Sequence, residues 1–502
     1  MTMGNTRSWS VRNRMMGRAI QFDFCVDNAA PSILMPLFDA LGLSFLDYVT
    51  LRDLFLLTGQ KAETPLVAAL LVLLGRLAGG SLCLHLDTET LVEHLQKGVD
   101  RQTAQSLAAA FLEQMEDGTY RKLVAGAAEP ILPVVSISSM GRRLLYFQKY
   151  FLHEQRMNQR ILSYQNQQTS KDMDDVQYRA LTQTLYAPNG VLRSGPKNRP
   201  LRRDDLQVKA VEMALSEPFL VISGGPGTGK TALTVNIIRA LLRAGTDISR
   251  VVLCAPTGRA AQRMTEAVHR SIERIHRPSE EDRAMLTLSA HTLHRTLRYS
   301  PRSRDFFYSD RRPLPASVVV MDEASMVDVA LMDAFLQSLR PERTKLILLG
   351  DKDQLPSVEA GTVFADLIPS TQSDRRNARR LIILETTYRA GKRLQTLSEQ
   401  INTGIAPPLA ATTLDLALAE RADSWHWVEP QDERTWRRIL QQWAHHFYLS
   451  PGQGQQPVII SLLSQAREMT VERLTQSSSG HRILAQLFAM VERARILCVT
   501  KN

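Results

Sequence analysis

The chain has 502 residues, enough for several domains, and its apolar fraction of 44% is ordinary for a globular protein. Its formal net charge of +10, with an isoelectric point near 9.5, favours contact with a polyanion. The longest apolar run, 66–74, is too short to span a bilayer and reads as a buried helix, so no membrane partner is expected. Cys25, Cys83, Cys254 and Cys498 lie far apart with no C-x-x-C pair, which argues against a zinc site and for a reducing, cytoplasmic setting.

Residues 1–34 carry Arg7, Arg12, Arg14 and Arg18 among polar residues and methionines, with no apolar stretch behind them. This reads as a disordered basic tail, not a signal peptide; a true start at Met35 is the other reading. From 35 to about 95 leucines such as Leu37, Leu41, Leu51 and Leu54 recur near helical spacing, and 81–86 alternates like a short strand. The pattern predicts a helix over 103–115, a strand over 131–137 and a helix over 144–162. In the last, Tyr146, Phe147, Tyr150 and Phe151 could stack on bases, but at helical spacing they read as core. Nothing over 35–185 carries chemistry, and the stretch looks like a mainly helical docking domain. A Pro/Gly-rich linker over 186–203 marks a boundary.

Beyond it, Leu206 and Gln207 start a helix, and Gln207 has the paired donor and acceptor that an adenine edge needs, as any surface glutamine would. The apolar run 219–222 leads into Gly224, Gly225, Pro226, Gly227, Thr228, Gly229, Lys230 and Thr231, followed by a helical segment. Strand, glycine loop and helix are the setting in which G-x-x-x-x-G-K-[ST] binds phosphate. The glycines let backbone N–H groups converge on an oxyanion, the helix adds its positive end, Lys230 supplies a full charge, and the Thr231 hydroxyl can ligate Mg²⁺.

A second buried strand, 251–255, ends in Pro256, Thr257, Gly258 and Arg259. Small residues, a hydroxyl and an arginine at a sheet rim suit a nucleic-acid phosphate; an ordinary strand-to-helix turn explains them equally. A third, 318–321, runs into Asp322 and Glu323, carboxylates suited to holding Mg²⁺ and to orienting or deprotonating the attacking water. A fourth, 345–349, ends in a loop over 350–356 in which Gln354 would sit where a γ-phosphate and a DNA-bound loop could both be felt. A fifth, 381–384, leads to Tyr388 and Arg389, a candidate charge for the transferring phosphoryl group. Alone, Gln354 and Arg389 fit a surface role as well.

Together GGPGTGKT, APTGRAA, MDEASMVD, LLGDKDQLPSVEAG and LETTYRA resemble, in order, the ATPase motifs of superfamily 1 DNA helicases. Within them the chain is most similar to the RecD-type alpha subunits of exonuclease V, through 67–71, 81–84, 145–150 and Glu154 outside the ATPase core. The resemblance implies an α/β fold: a P-loop, RecA-like parallel sheet with helices on both faces, after a mainly helical N-terminal domain and before a second RecA-like domain. It implies ATP and Mg²⁺ as cofactors, with Lys230 and Thr231 on phosphate and metal and Asp322 on the metal. Glu323 would be the base, Gln354 the link between nucleotide and DNA, Arg389 the γ-phosphate contact, and Gln207 the adenine reader. Thr257, Arg259 and His294 would lie along single-stranded DNA. It implies 5′-to-3′ translocation on single strands or from duplex ends, and a heterotrimer with RecB-like and RecC-like subunits in double-strand break repair and recombination.

The expected domains are 35–185 for docking, 204–380 for the first motor domain and 381–502 for a partial second one. The later helicase motifs, resembling TVHKSQGSEF and VYTAVTRA, do not occur. After Gly404 the pattern predicts polar and aromatic helices, a strand over 458–460, a polar link over 477–480 and a strand-like end at 495–502, as in a second motor domain cut short. Hydrolysis would then be weak and unwinding poor. An interaction subunit without activity that docks on a RecC-like partner, and another P-loop motor such as a plasmid-transfer helicase, are the alternatives.

Overall fold

The computed structural model describes residues 20, 22–27, 30–128, 130–167, 175–187, 191–194, 199–200, 203–354, 360–361, 363–368, 380–388, 392–405, 428, 432–449 and 458–491. Order begins earlier than the expected tail allows. Phe22 is buried, and its ring packs on Phe24, Phe38 and Tyr48, with Phe24 also against Phe55. Met35 lies inside a helix, Ala30–Ala40 (α1), so 34/35 is not a structural boundary. Widely spaced aromatics that fold onto later helices leave no local period to detect.

Helix α2, Phe45–Thr58, starts at a reciprocal cap between Ser44 and Asp47 and ends at Gly59 in the left-handed region, φ 61°. Helix α3, Thr64–Ala78, contains the apolar run 66–74, every residue of it buried, and is the centre of the N-terminal core. Then follow β1 (Cys83–His85), α4 (Thr88–Leu95), α5 (Arg101–Glu116), β2 (Val124–Gly126), β3 (Val134–Ser139) and β4 (Arg142–Phe147). The strands form one sheet in the order β1-β4-β3-β2. The helix expected over 144–162 begins four residues late, since 144–147 belong to β4. Met140 and Gly141, φ 49° and 76°, make a two-residue hairpin turn between β3 and β4, and left-handed backbone at both positions is what such a turn requires. The helix, α6, spans Gln148–Asn166. Tyr146 and Phe151 are buried and pack on each other, as core residues do.

Helix α7, Asp175–Leu185, a small hairpin of β5 (Arg193–Ser194) and β6 (Arg199–Pro200), and α8 (Asp205–Ser216) lead into the second sheet. Its elements are β7 (Phe219–Gly224), α9 (Lys230–Arg243), β8 (Val251–Ala255), α10 (Gly258–Glu273), α11 (Glu280–Ala284), β9 (His291–Thr292) and α12 (Leu293–Thr296). A short hairpin, β10 (Tyr299–Ser300) and β11 (Asp305–Phe306), precedes β12 (Val318–Met321), α13 (Val329–Gln337), β13 (Lys345–Gly350), α14 (Val363–Asp366) and β14 (Leu381–Leu384). Six strands pair in the order β14-β7-β13-β12-β8-β9, all parallel. Alternation along β7 explains the layers. Leu220 and Ile222 join the core that α9 covers, while Phe219 and Val221 join the core that α13 and α6 cover.

β14 corrects the expected domain boundary: 381–384 pairs with β7 in this sheet and does not open a second domain. The chain divides into two compact units, Met1–Tyr388 and Arg389–Asn502. The described part of the second is helical: α15 (Lys392–Asn402), α16 (Glu433–Ala444), α17 (Val458–Arg467), α18 (Val471–Gln476) and α19 (Ser478–Val491). The strand expected over 458–460 is the first turn of α17, since a short apolar run has no period of its own and here continues into Leu462 and Leu463. The link expected over 477–480 falls at the start of α19, where the Ser477 hydroxyl accepts from Gly480 N at 3.0 Å. The strand-like end at 495–502 lies outside the described residues. No helix among the described residues is long and apolar enough to cross a membrane.

Candidate nucleotide and nucleic-acid site

Parallel strands put their carboxyl ends on one rim, and the register shows which residues share it. Leu384 lies opposite Gly224, Gly350 opposite Ser223, Met321 opposite Cys254, and Ala255 opposite Thr292. The glycine loop, Asp322, Asp351, Thr257 and the start of α12 therefore emerge side by side.

The loop after β7 has the shape its glycines permit. Gly227 and Gly229 sit at φ 84° and 85°. A Cβ on Gly229 would lie 2.8 Å from Gln207 Nε2, and one on Gly224 would lie 2.7 Å from Thr228 Oγ1. Both positions exclude a side chain. Thr228 Oγ1 donates to Gly225 O at 2.9 Å, and Lys230 Nζ donates to the carbonyls of Gly224 and Gly225. Pro226 and Thr231 are exposed, Thr231 on the first turn of α9.

Two further residues brace the loop. Asp204 caps α8 by accepting from Gln207 N at 3.0 Å, and its other oxygen accepts from Tyr388 Oη at 2.8 Å. Tyr388 N in turn donates to Gly227 O at 2.9 Å. Gln207 is buried, and its Nε2 donates to Thr228 O at 3.2 Å, so the amide faces the loop's own peptide. Asp204 was legible as a helix start, Asp-x-x-Gln before an apolar run, but its tie to Tyr388 spans the fold. Arg389, the next residue, lies outside the described residues.

The carboxylates stand beside this loop. Asp322 N donates to Cys254 O at 3.0 Å, and its Oδ1 accepts from Glu323 N at 2.9 Å. Glu323 adopts left-handed backbone, φ 54°, ψ 38°, a strained conformation for a residue with a Cβ. Its Oε2 is buried without a hydrogen-bond partner among the described residues, as is Ser325 Oγ. Burial raises the Asp322 carboxyl above its ordinary value, against the Glu323 N–H and Lys230. Burial also raises Glu323, helped by Asp322 and Asp351 and opposed by Lys230 and Arg263. Asp351, buried at the end of β13, accepts from Asp353 N at 3.1 Å; half-exposed Gln354 follows in the same turn. Sequence reading had not singled out Asp351. Asp322 and Glu323 facing the Lys230 ammonium, with Asp351 near Glu323 and a buried Glu323 oxygen unsatisfied, fit a magnesium-bound polyphosphate in charge and donor type.

Toward the other edge, Thr257 is used locally: its Oγ1 caps α10, accepting from Ala260 N at 3.2 Å. Arg259 is exposed on that helix. Exposed His294 packs on Tyr299 and Phe306, with centroids 5.5 and 5.8 Å apart. Arg298 and Arg312 lie over Phe307, at 5.4 and 4.1 Å. Beyond His294, the residues Arg298, Tyr299, Phe306, Phe307 and Arg312 are not among the sequence candidates, although arginines and aromatics interleave over 298–312.

A family model described as an AAA domain matches residues 207–360. The chain is 31% identical over 364 residues to the RecBCD enzyme subunit RecD of Mycolicibacterium smegmatis, covering 72% of this chain and 60% of that protein. It is 37% identical over 293 residues to the RecBCD enzyme subunit RecD of Mycobacterium tuberculosis, covering 56% and 45%. It is 31% identical over 194 residues to the ATP-dependent RecD2 DNA helicase of Deinococcus radiodurans, covering 38% and 24%. The chain thus spans 60% or less of each of these relatives.

Proposed function

Because the chain belongs to the RecD-type superfamily 1 helicases, we propose that it is an ATP-dependent DNA translocase moving 5′ to 3′ on single strands. It would serve in the cytoplasm as one subunit of an exonuclease V-type assembly with RecB-like and RecC-like partners, in repair and recombination of broken DNA. The observation that carries the reading is one sheet rim bearing a phosphate loop, the Asp322–Glu323 pair and, further along, an aromatic and basic cluster.

In this reading the loop amides and Lys230 bind the β- and γ-phosphates, releasing Lys230 Nζ from the Gly224 and Gly225 carbonyls. Thr231 and Asp322 would hold Mg²⁺, which when bound neutralises charge on the phosphates. Glu323, its raised carboxyl aimed by the strained turn, orients the attacking water and takes its proton. By family likeness Gln354 would sense the γ-phosphate, Arg389 would contact it, and Gln207 would recognise the adenine edge. Thr257, Arg259 and His294 track the strand, with Tyr299 and Phe306 as stacking surface.

Phosphate release with and without single-stranded DNA tests this. DNA-stimulated turnover that Lys230→Ala abolishes is the expected result; a chain that neither binds nor splits ATP would reject it. A second reading, a docking subunit without turnover, draws on Leu46, Leu56 and Leu57 of α2, which are 72%, 68% and 85% exposed. It expects Leu56→Glu with Leu57→Glu to lose a RecC-like partner in a pull-down.

A further inference from the structure

The strained Glu323 turn is held from outside the motor sheet. A left-handed non-glycine residue persists only where its surroundings over-determine it. The turn leads through residues 324–328 into α13, which N-terminal residues reach at its start through Ala360 and Gly361 and hold directly in its middle.

At the start, Val329 N donates to Ala360 O at 3.3 Å, and Gly361 N donates to Gly80 O at 3.1 Å, in the turn that closes α3. Gly361 has φ +107°, and a Cβ there would lie 2.9 Å from Val329 Cβ and 3.5 Å from Leu82 Cδ2. Only glycine lets these chains meet, and Leu82 packs into the motor core. In the middle, Asp333 is 2% exposed and accepts from His153 Nδ1 at 2.7 Å and from Arg156 Nε at 2.9 Å, both on α6. One turn on, Gln337 Oε1 accepts from Arg160 at 3.0 Å. Met157 and Tyr164 of α6 share a core with Met332, Phe335 and Leu336 of α13.

We propose that Leu82, His153 and Arg156 of the N-terminal region are positioning residues for Glu323, clasping α13 so that the turn before it keeps its strained, hydrolysis-ready shape. This rests on the ATPase reading for its consequence, not for its geometry. The clasp makes the N-terminal region part of the catalytic scaffold.

The test uses the full chain carrying His153→Ala with Arg156→Ala, and separately Leu82→Ala, with Arg156→Lys as the conservative variant. Amide hydrogen exchange over 322–336 should quicken in the first two variants while the strands of the sheet keep their protection. Turnover should fall on the order of tenfold to a hundredfold, as misplacement of a reacting group does, with nucleotide KM little changed and Arg156→Lys partly restoring it. Unchanged exchange over 322–336 in folded double variant would overturn the proposal. So would faster exchange with full turnover. If the wild-type chain splits no ATP, the ATPase reading fails and the exchange comparison still decides the clasp.

Discussion

Glu323 carries the sharpest test of single-residue chemistry. Its backbone is strained, one carboxylate oxygen is buried without a partner, and Asp322 and Asp351 crowd it with like charge. Such a residue serves stability poorly and suits a general base well. Glu323→Gln should keep nucleotide affinity within a few-fold while lowering turnover by roughly 10²–10⁴, the usual worth of a positioned base. Paired measurements of fluorescent nucleotide binding and phosphate release check it; equal loss of both would assign Glu323 to binding. The candidate chemistry was legible here because the loop and the carboxylates are local strings after apolar runs. The bracing of the loop by Asp204 and Tyr388 was not, since the two lie 184 residues apart.

Among elements, the helix that follows the phosphate loop depends on a buried ion cluster. Arg239 of α9 is fully buried and donates to Asp282 of α11 at 2.8 Å, and Arg243 reaches the same carboxylate at 3.0 Å. Breaking such a cluster leaves buried charge uncompensated, so Asp282→Asn should cost about 3–5 kcal/mol. Burial would raise Asp282, but Arg239 and Arg243 outweigh it and hold the carboxyl below its ordinary 3.8. A depressed folded pKa gives stability that is present in full above 3.8 and lost as pH falls through the lower folded value. Urea midpoints of wild type and Asp282→Asn should therefore differ at neutral pH and converge as acid takes the pH below 3.8. A gap that persists in acid would remove the charge from the explanation. Sequence pattern found most elements of this sheet, because buried parallel strands are continuous apolar runs closed by loops. It failed at β4 and α17, where a few apolar residues fit either period until their neighbours are known.

For the whole molecule, the +10 net charge makes the proposed contact with single-stranded DNA measurable. His294, Tyr299 and Phe306 form one ring cluster, and Arg298 and Arg312 lie over the neighbouring residue Phe307. Tyr299→Ala should weaken single-stranded DNA binding by roughly 1–3 kcal/mol with an unchanged salt slope. Arg312→Ala should weaken it less and flatten the salt slope, because it removes a phosphate-directed charge. Fluorescence anisotropy at several salt concentrations separates the two. Identical behaviour of both variants would rule out a stacking role for Tyr299.

The strings of residues around Gly224, Asp322 and Gly350 mark a parallel sheet with a P-loop sequence at its rim, because the contacts that shape those segments are made within a strand and its following turn. Where that sheet ends, which unit β14 belongs to, and how Glu323 is kept in place emerge from contacts between distant segments. Leu384 against Gly224, Gly80 against Gly361 and His153 against Asp333 depend on packing that no local period encodes. Short-range patterning names the chemistry; long-range packing sets the geometry in which it works.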